Sequence, residues 1–187
     1  MSNASKKETV AVFFDVQNLY HSSKKSGGKV YYKALLDKIG EGREVVFSKA
    51  YAGYREEKDV SRFYKSLQDA GIEVMSKRLN PKQIKNITVV RAPFDVEIAV
   101  DAELSINVKG ANTVVLCTGS GNFTYLVKDL LDQDVNVEVW SFQENTSDSL
   151  KSLAKFVEIP KECLLKGPRV VEACVSGHSE NDPDYTN

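Results

Sequence analysis

Apolar residues fall along this chain in two rhythms. Short runs rich in β-branched residues, at 10–14, 45–52, 72–75, 113–117 and 135–142, read as strands, and the most continuous of them as strands buried on both faces. Between them the spacing changes to that of a helix. Val60, Phe63, Tyr64 and Leu67 stand at i, i+3, i+4 and i+7 within a helix expected over 58–70, and Phe123, Leu126, Val127, Leu130 and Leu131 repeat the stripe. Shorter helical patterns cover 17–25, 31–39, 95–109 and 147–154, with stops at Gly27-Gly28, Gly40, Gly71 and Gly110. Residues 156–159 read as an edge strand ended by Pro160. Strand and helix alternate throughout. That predicts an α/β fold, a three-layer sandwich with a mostly parallel central sheet covered on both faces.

One stretch breaks the rhythm. From 77 to 91 the chain carries Lys77, Arg78, Lys82, Lys85 and Arg91 and no acidic residue, with a turn signal at Asn80-Pro81 and a β-prone run at 87–90. Basic side chains neutralise phosphates, so these five are the candidates for holding a nucleic-acid backbone, which the resemblance described below makes RNA, against the plainer reading of a solvated loop. Elsewhere charge is balanced: a net charge of -1 and a pI near 6.2 argue against a generally basic nucleic-acid binder but leave room for a local patch. Residues 1–9 are expected to be a flexible start without a signal peptide, 10–160 one domain, and 161–187 an extension that is polar and disordered from about 177. The three cysteines, Cys117, Cys163 and Cys174, have no metal-ligand spacing and fit a reducing, cytoplasmic setting. No run reaches the length of a membrane span, so no membrane association is expected.

The chemistry lies where strands end. The first buried strand runs into Asp15, and Asn18 falls on the first turn of the following helix. In an open α/β sheet ligands bind outside the carboxyl ends of the strands, so Asp15 is placed at the mouth of the sheet; capping the helix would equally explain it. Asp95 opens another helix and Asp101 lies within it among Ile98, Ala99, Val100 and Ala102. A polar turn with Ser120 and Asn122 follows the strand at 113–117. Parallel strands present these groups on one edge, where clustered carboxylates call for a hard divalent cation. Helix geometry sets a condition. Asp95 and Asp101, six residues apart, point roughly 120° away from each other on an ideal helix. Both reach one ion only if Asp95 sits where the chain leaves the cylinder. Glu97 shares a face with Asp101 and is equally well a solvated charge. Tyr51 and Tyr54, at a strand end, are weaker candidates for base stacking, and His21 lies one turn beyond Asn18.

These residues resemble a family. Phe13-Phe14-Asp15-Val16-Gln17-Asn18-Leu19-Tyr20 resembles the opening motif of NYN domains, the LabA-like branch of the PIN-like nucleases. Phe94-Asp95-Val96-Glu97-Ile98-Ala99-Val100-Asp101-Ala102 resembles the second motif, and residues 114–123, ending Thr118-Gly119-Ser120-Gly121-Asn122-Phe123, resemble the third. The likeness covers about residues 10–142. It implies a PIN-like, Rossmann-like fold and a Mg²⁺- or Mn²⁺-dependent ribonuclease. Asp15, Asp95 and Asp101 become metal ligands, with Asn18, Ser120 and Asn122 completing the catalytic set. In the third motif the family's two acids are Ser120 and Asn122 here. That keeps oxygen donors but loses two charges, so the site is expected to be attenuated.

Three alternatives stand beside this reading. A phosphatase built on a strand-terminal aspartate needs a second acid two residues on, where Gln17 stands. A dinucleotide fold needs a spaced-glycine loop after the first strand, which is missing. The third is a catalytically inactive PIN-like module that binds RNA or a protein. A homodimer is compatible with the sequence.

Overall fold

The structure, a computed structural model, describes residues 7–55, 59–84 and 87–165, with side chains described outside 80–91. In chain order the strands are β1 (Thr9–Asp15), β2 (Lys29–Val30), β3 (Glu44–Tyr54), β4 (Glu73–Arg78), β5 (Asn80–Ile84), β6 (Ile87–Arg91), β7 (Thr113–Cys117), β8 (Asn136–Ser141), β9 (Lys155–Glu158) and β10 (Leu164–Leu165). The helices are α1 (Val16–Lys25), α2 (Tyr32–Ile39), α3 (Ser61–Asp69), α4 (Asp95–Asn107), α5 (Thr124–Asp132) and α6 (Asp148–Leu153).

Alternation along β1 explains the layers. Val10, Val12 and Phe14 enter one apolar core, Ala11 and Phe13 the other. Successive strand side chains point to opposite faces, so a strand with no polar position on either face must be covered twice. Leu19 of α1, Leu35 and Ile39 of α2, and Phe63 and Leu67 of α3 close the first core. Ile98 and Ala102 of α4, Val127 and Leu130 of α5, and Leu150 of α6 close the second. Burying a large aliphatic or aromatic side chain contributes about 1.5–3 kcal/mol, and both layers are built from such residues.

The central sheet has six parallel strands in the order β4-β3-β1-β7-β8-β9. From β1 the chain steps outward through β3 and β4, then returns to the other side of β1 and steps outward through β7, β8 and β9. The direction of winding reverses between β1 and β7. Such a switch point leaves a crevice beyond the carboxyl ends of the two strands, because their following helices lie on opposite faces of the sheet.

Most expected elements are present with ends moved by a few residues. Gly27 has φ of +77°, the left-handed conformation that ends α1 just after its Ser26 cap. The edge strand at the chain's far end is β9, paired parallel to β8. α3 begins at Ser61 rather than 58; residues 56–58 lie outside the described residues. The basic stretch differs more. Asn80-Pro81 is no turn: it starts β5, which pairs antiparallel with β6 as a separate two-stranded sheet, reversing between Ile84 and Ile87. Pro81 is tolerated because each strand of a two-stranded sheet has a free edge. The antiparallel β10-β2 pair had no sequence signal, being two residues on each side. Cys117 and Cys163 are buried free thiols; Cys174 and the rest of 166–187 lie outside the described residues. Among the described residues no helix is long and apolar enough to cross a membrane.

Candidate functional site

Asp15 ends β1 and caps α1, so the cap and site readings describe one side chain. Its Oδ1 accepts from the Asn18 backbone N–H at 3.1 Å, and its Oδ2 accepts from the Thr118 hydroxyl at 3.0 Å. Thr118 is the first residue beyond β7, on the other side of the switch point. Asn18 crosses the same gap: its Oδ1 accepts from the Gly119 N–H at 2.8 Å. The first turn of α1 and the loop after β7 are thereby tied together. Gly119 is required at that closeness. A Cβ there would collide with the Asn145 carbonyl oxygen and come within 3.0 Å of Ser141 Oγ.

Asp95 comes from the second core layer. It is the first residue of α4, with Phe94 at the cap position, and its Oδ2 accepts from Asn122 Nδ2 at 3.0 Å. Ser120 caps the short 3-10 turn Gly121–Phe123 by accepting from the Asn122 N–H at 3.4 Å. Asp15, Asn18, Asp95, Ser120 and Asn122 line a single cleft of about 230 Å³. Burial pushes the Asp15 carboxyl up to about 6, and the Asp95 charge adds to this, while the Asn18 N–H and Thr118 hydroxyl oppose it.

Asp101 does not join this group. Its Oδ2 accepts from Lys49 Nζ at 2.7 Å and from the Tyr51 hydroxyl at 2.6 Å, beside Phe47 and Glu73 on the flank of the molecule. The divergence of about 120° along α4 is therefore not overcome by Asp95 being terminal. Among the described residues no group of three or more His, Cys, Asp or Glu side chains is arranged to hold a metal. Tyr51 is fully buried, its hydroxyl pushed up by burial and by Asp101, so it is core and no stacking surface.

The basic candidates divide. Lys77 is committed: it pairs with Glu97, donates to the Pro93 carbonyl at 3.1 Å and lies 4.9 Å from the Phe94 ring centroid. This pairing holds the Glu97 carboxyl below the usual range and fixes β4 to the start of α4. Arg78 is exposed on β4. Lys85 and the side chains of Lys82 and Arg91 lie outside the described residues.

His21, expected one turn beyond Asn18, does line the cleft, and Ser22 and Lys25 continue the same face of α1 at i+4 and i+7 from Asn18, bringing the Lys25 ammonium to the wall. Other residues of the cleft carried little signal in the sequence. Asn145 enters from the turn after β8, and among the described residues its buried Nδ2 has no hydrogen-bond partner. It had no sequence signal, because a polar residue in a loop is unremarkable until the loop is placed.

Residues 9–160 match the family profile of the NYN domain. Among solved structures, the chain is similar to a Vibrio parahaemolyticus RIMD 2210633 protein of unknown function, with 28% identity and a TM-score of 0.76, covering 88% of this chain and 100% of that one. The MurG structure from Acinetobacter baumannii aligns at 14% identity and a TM-score of 0.44, over 82% of this chain and 42% of that one. No curated protein matches the chain in sequence.

Proposed function

The chain belongs to the NYN domain family, and on that premise we propose that it is a divalent-metal-dependent ribonuclease with an attenuated site at the Asp15–Asp95 cleft. The observation that carries the reading is the meeting of Asp15, at the end of the central strand β1, and Asp95, at the start of α4 in the covering layer, in one concavity at the switch point of the sheet.

The donor set fits a hard cation. Two carboxylates face the cleft, Ser120 adds a hydroxyl, and the Asn122 amide, donating its Nδ2 to Asp95, leaves its carbonyl oxygen to accept. Mg²⁺ is commonly held by one or two carboxylates together with water and substrate phosphate, and Mn²⁺ suits the same oxygens. When bound, such an ion supplies a water of lowered pKa and neutralises charge on the phosphate. The chain's own residues do the rest. Asn18 positions the β7 loop through Gly119. Lys25 offers positive charge to the phosphates of an RNA strand lying along α1. Asn145 closes the cleft from the turn after β8. Buried free thiols at Cys117 and Cys163 suit a reducing cytoplasm.

One observation favours a second reading, RNA binding without cleavage. Asn122 and Ser120 are uncharged, and Asp101, the third carboxylate of the resemblance, is neutralised by Lys49. The test is cleavage of a mixed RNA pool with Mg²⁺ or Mn²⁺, with Asp15→Asn, Asp95→Asn and Lys25→Ala beside the unaltered protein. Metal-dependent cleavage abolished in both aspartate variants is the expected result. Absence of cleavage, with RNA binding still weakened by Lys25→Ala, replaces the enzyme by the binding module. Neither cleavage nor binding overturns both.

A further inference from the structure

Beside the acidic cleft lies a depression of different character, and the two meet at the Asn122–Asp95 hydrogen bond. It is a groove of about 420 Å³ between α4 and α5, floored by Val100, Leu104, Phe123 and Leu126. Tyr125, three residues beyond Asn122, stands at its edge with 80% of its surface exposed. Further along both helices, Glu103 and Asp129 line it, held together by Gln133, whose Nε2 donates to Glu103 Oε2 at 3.2 Å and to Asp129 Oδ2 at 3.1 Å. Among the described residues no Lys or Arg lines this groove.

An exposed aromatic ring over an apolar floor is costly to leave in water, and next to a polar cleft it offers a planar ligand a stacking surface. Phosphate is excluded, since the charged groups present are carboxylates. A nucleobase suits all three features. Its faces stack, its edge carries amino groups that a carboxylate accepts, and its backbone phosphate needs a separate site.

We propose that the α4-α5 groove holds one unpaired base of the RNA strand whose backbone lies in the cleft. Tyr125 is its stacking platform, and Glu103 and Asp129 accept from its exocyclic amino group. The substrate class rests on the nuclease reading; the groove adds that the strand is single-stranded at this point. A base locked in a duplex cannot lie flat on Tyr125. The apolar ridge of α4 also includes Val96 and Val108, 71% and 69% exposed, which do not line the groove. An apolar protein partner would cover that ridge from end to end; a base covers only the groove.

The experiment measures fluorescence anisotropy of a short, mixed-sequence single-stranded RNA and of its duplex, with Ca²⁺ in place of Mg²⁺, on the full chain. The variants are Tyr125→Ala, Tyr125→Phe and Val108→Ser. Stacking lost in Tyr125→Ala is expected to weaken single-strand binding roughly 5- to 100-fold. Tyr125→Phe and Val108→Ser should stay within about twofold, and duplex binding should not change. Equal single-strand affinity in Tyr125→Ala and the unaltered protein overturns the proposal while leaving the nuclease reading intact. Equal loss in Val108→Ser and Tyr125→Ala also overturns it and assigns the ridge to an apolar partner. No RNA binding by the unaltered protein removes both the proposal and the reading beneath it.

Discussion

Asp15 shows how one residue serves structure and chemistry at once. As the cap of α1 it satisfies a backbone donor; as a half-buried carboxyl raised to about 6 it costs stability when ionised. In the unfolded chain it titrates near 3.8, so the folded chain holds its proton more tightly. Stability therefore falls as pH rises through this window, by on the order of 2–3 kcal/mol, and the loss is complete above the folded value. Asp15→Asn keeps a cap acceptor and removes the charge. Without divalent cations it is expected to be about 1–3 kcal/mol more stable than the unaltered protein at pH 8 and no more stable at pH 3, by urea denaturation at both. Asp101 is the contrasting residue. Its Lys49 and Tyr51 partners make it a fastener between α4 and β3, so Asp101→Asn is expected to lose about 1–3 kcal/mol of stability. Its metal-dependent RNA cleavage, assayed below the melting range, should stay within about threefold of the unaltered protein; a loss as deep as that of Asp15→Asn would return Asp101 to the site.

At the scale of elements, the site depends on how closely two of them approach. The loop after β7 passes so near the turn after β8 that only glycine fits at 119, and Asn18 reaches across to hold it. Gly119→Ala forces the Asn145 backbone aside. It is expected to cost about 1–3 kcal/mol by thermal or urea unfolding and to weaken RNA binding as well, since Asn145 and the Asn18 bond shift together. A variant that loses neither would show that the loop relaxes freely. The basic stretch at 77–91 teaches a different lesson. Tertiary pairing commits Lys77 of β4 to Glu97, and among the described residues the lysine that lines the cleft, Lys25, comes from α1 instead.

For the molecule as a whole, the sheet joins two ends with different duties. Its carboxyl end carries the cleft. Toward its other end, Glu138 of β8 is 5% exposed and accepts from Trp140 Nε1 at 2.8 Å and from Lys155 Nζ of β9 at 2.7 Å, with Arg43 Nη1 at 3.2 Å beside the start of β3. These bonds link distant strands. Glu138→Gln leaves Arg43 without its buried counter-charge and is expected to cost about 2–4 kcal/mol, less than a fully buried pair because Lys155 stays in water. RNA affinity at a temperature where the variant is folded should not change, since the network lies away from the cleft. A change in affinity larger than twofold would mean the two ends are coupled.

The layered α/β architecture, the alternation of elements and the place of Asp15 are legible in the order of residues alone. Each is written in local periodicity: a strand apolar on both faces needs two covers, and a carboxylate after it must stand at the sheet's edge. Asp95 and the Ser120-Gly121-Asn122 turn stand out as well, because helix starts and strand ends are local features too. Which of these side chains meet is settled by packing between elements. Residues 15, 95 and 122 are brought together by the winding reversal between β1 and β7, while 101 is turned away by a fraction of a helical turn and captured by Lys49. Asn145 joins the cleft through packing between elements far apart in the chain, and no periodicity in one segment encodes the position of another.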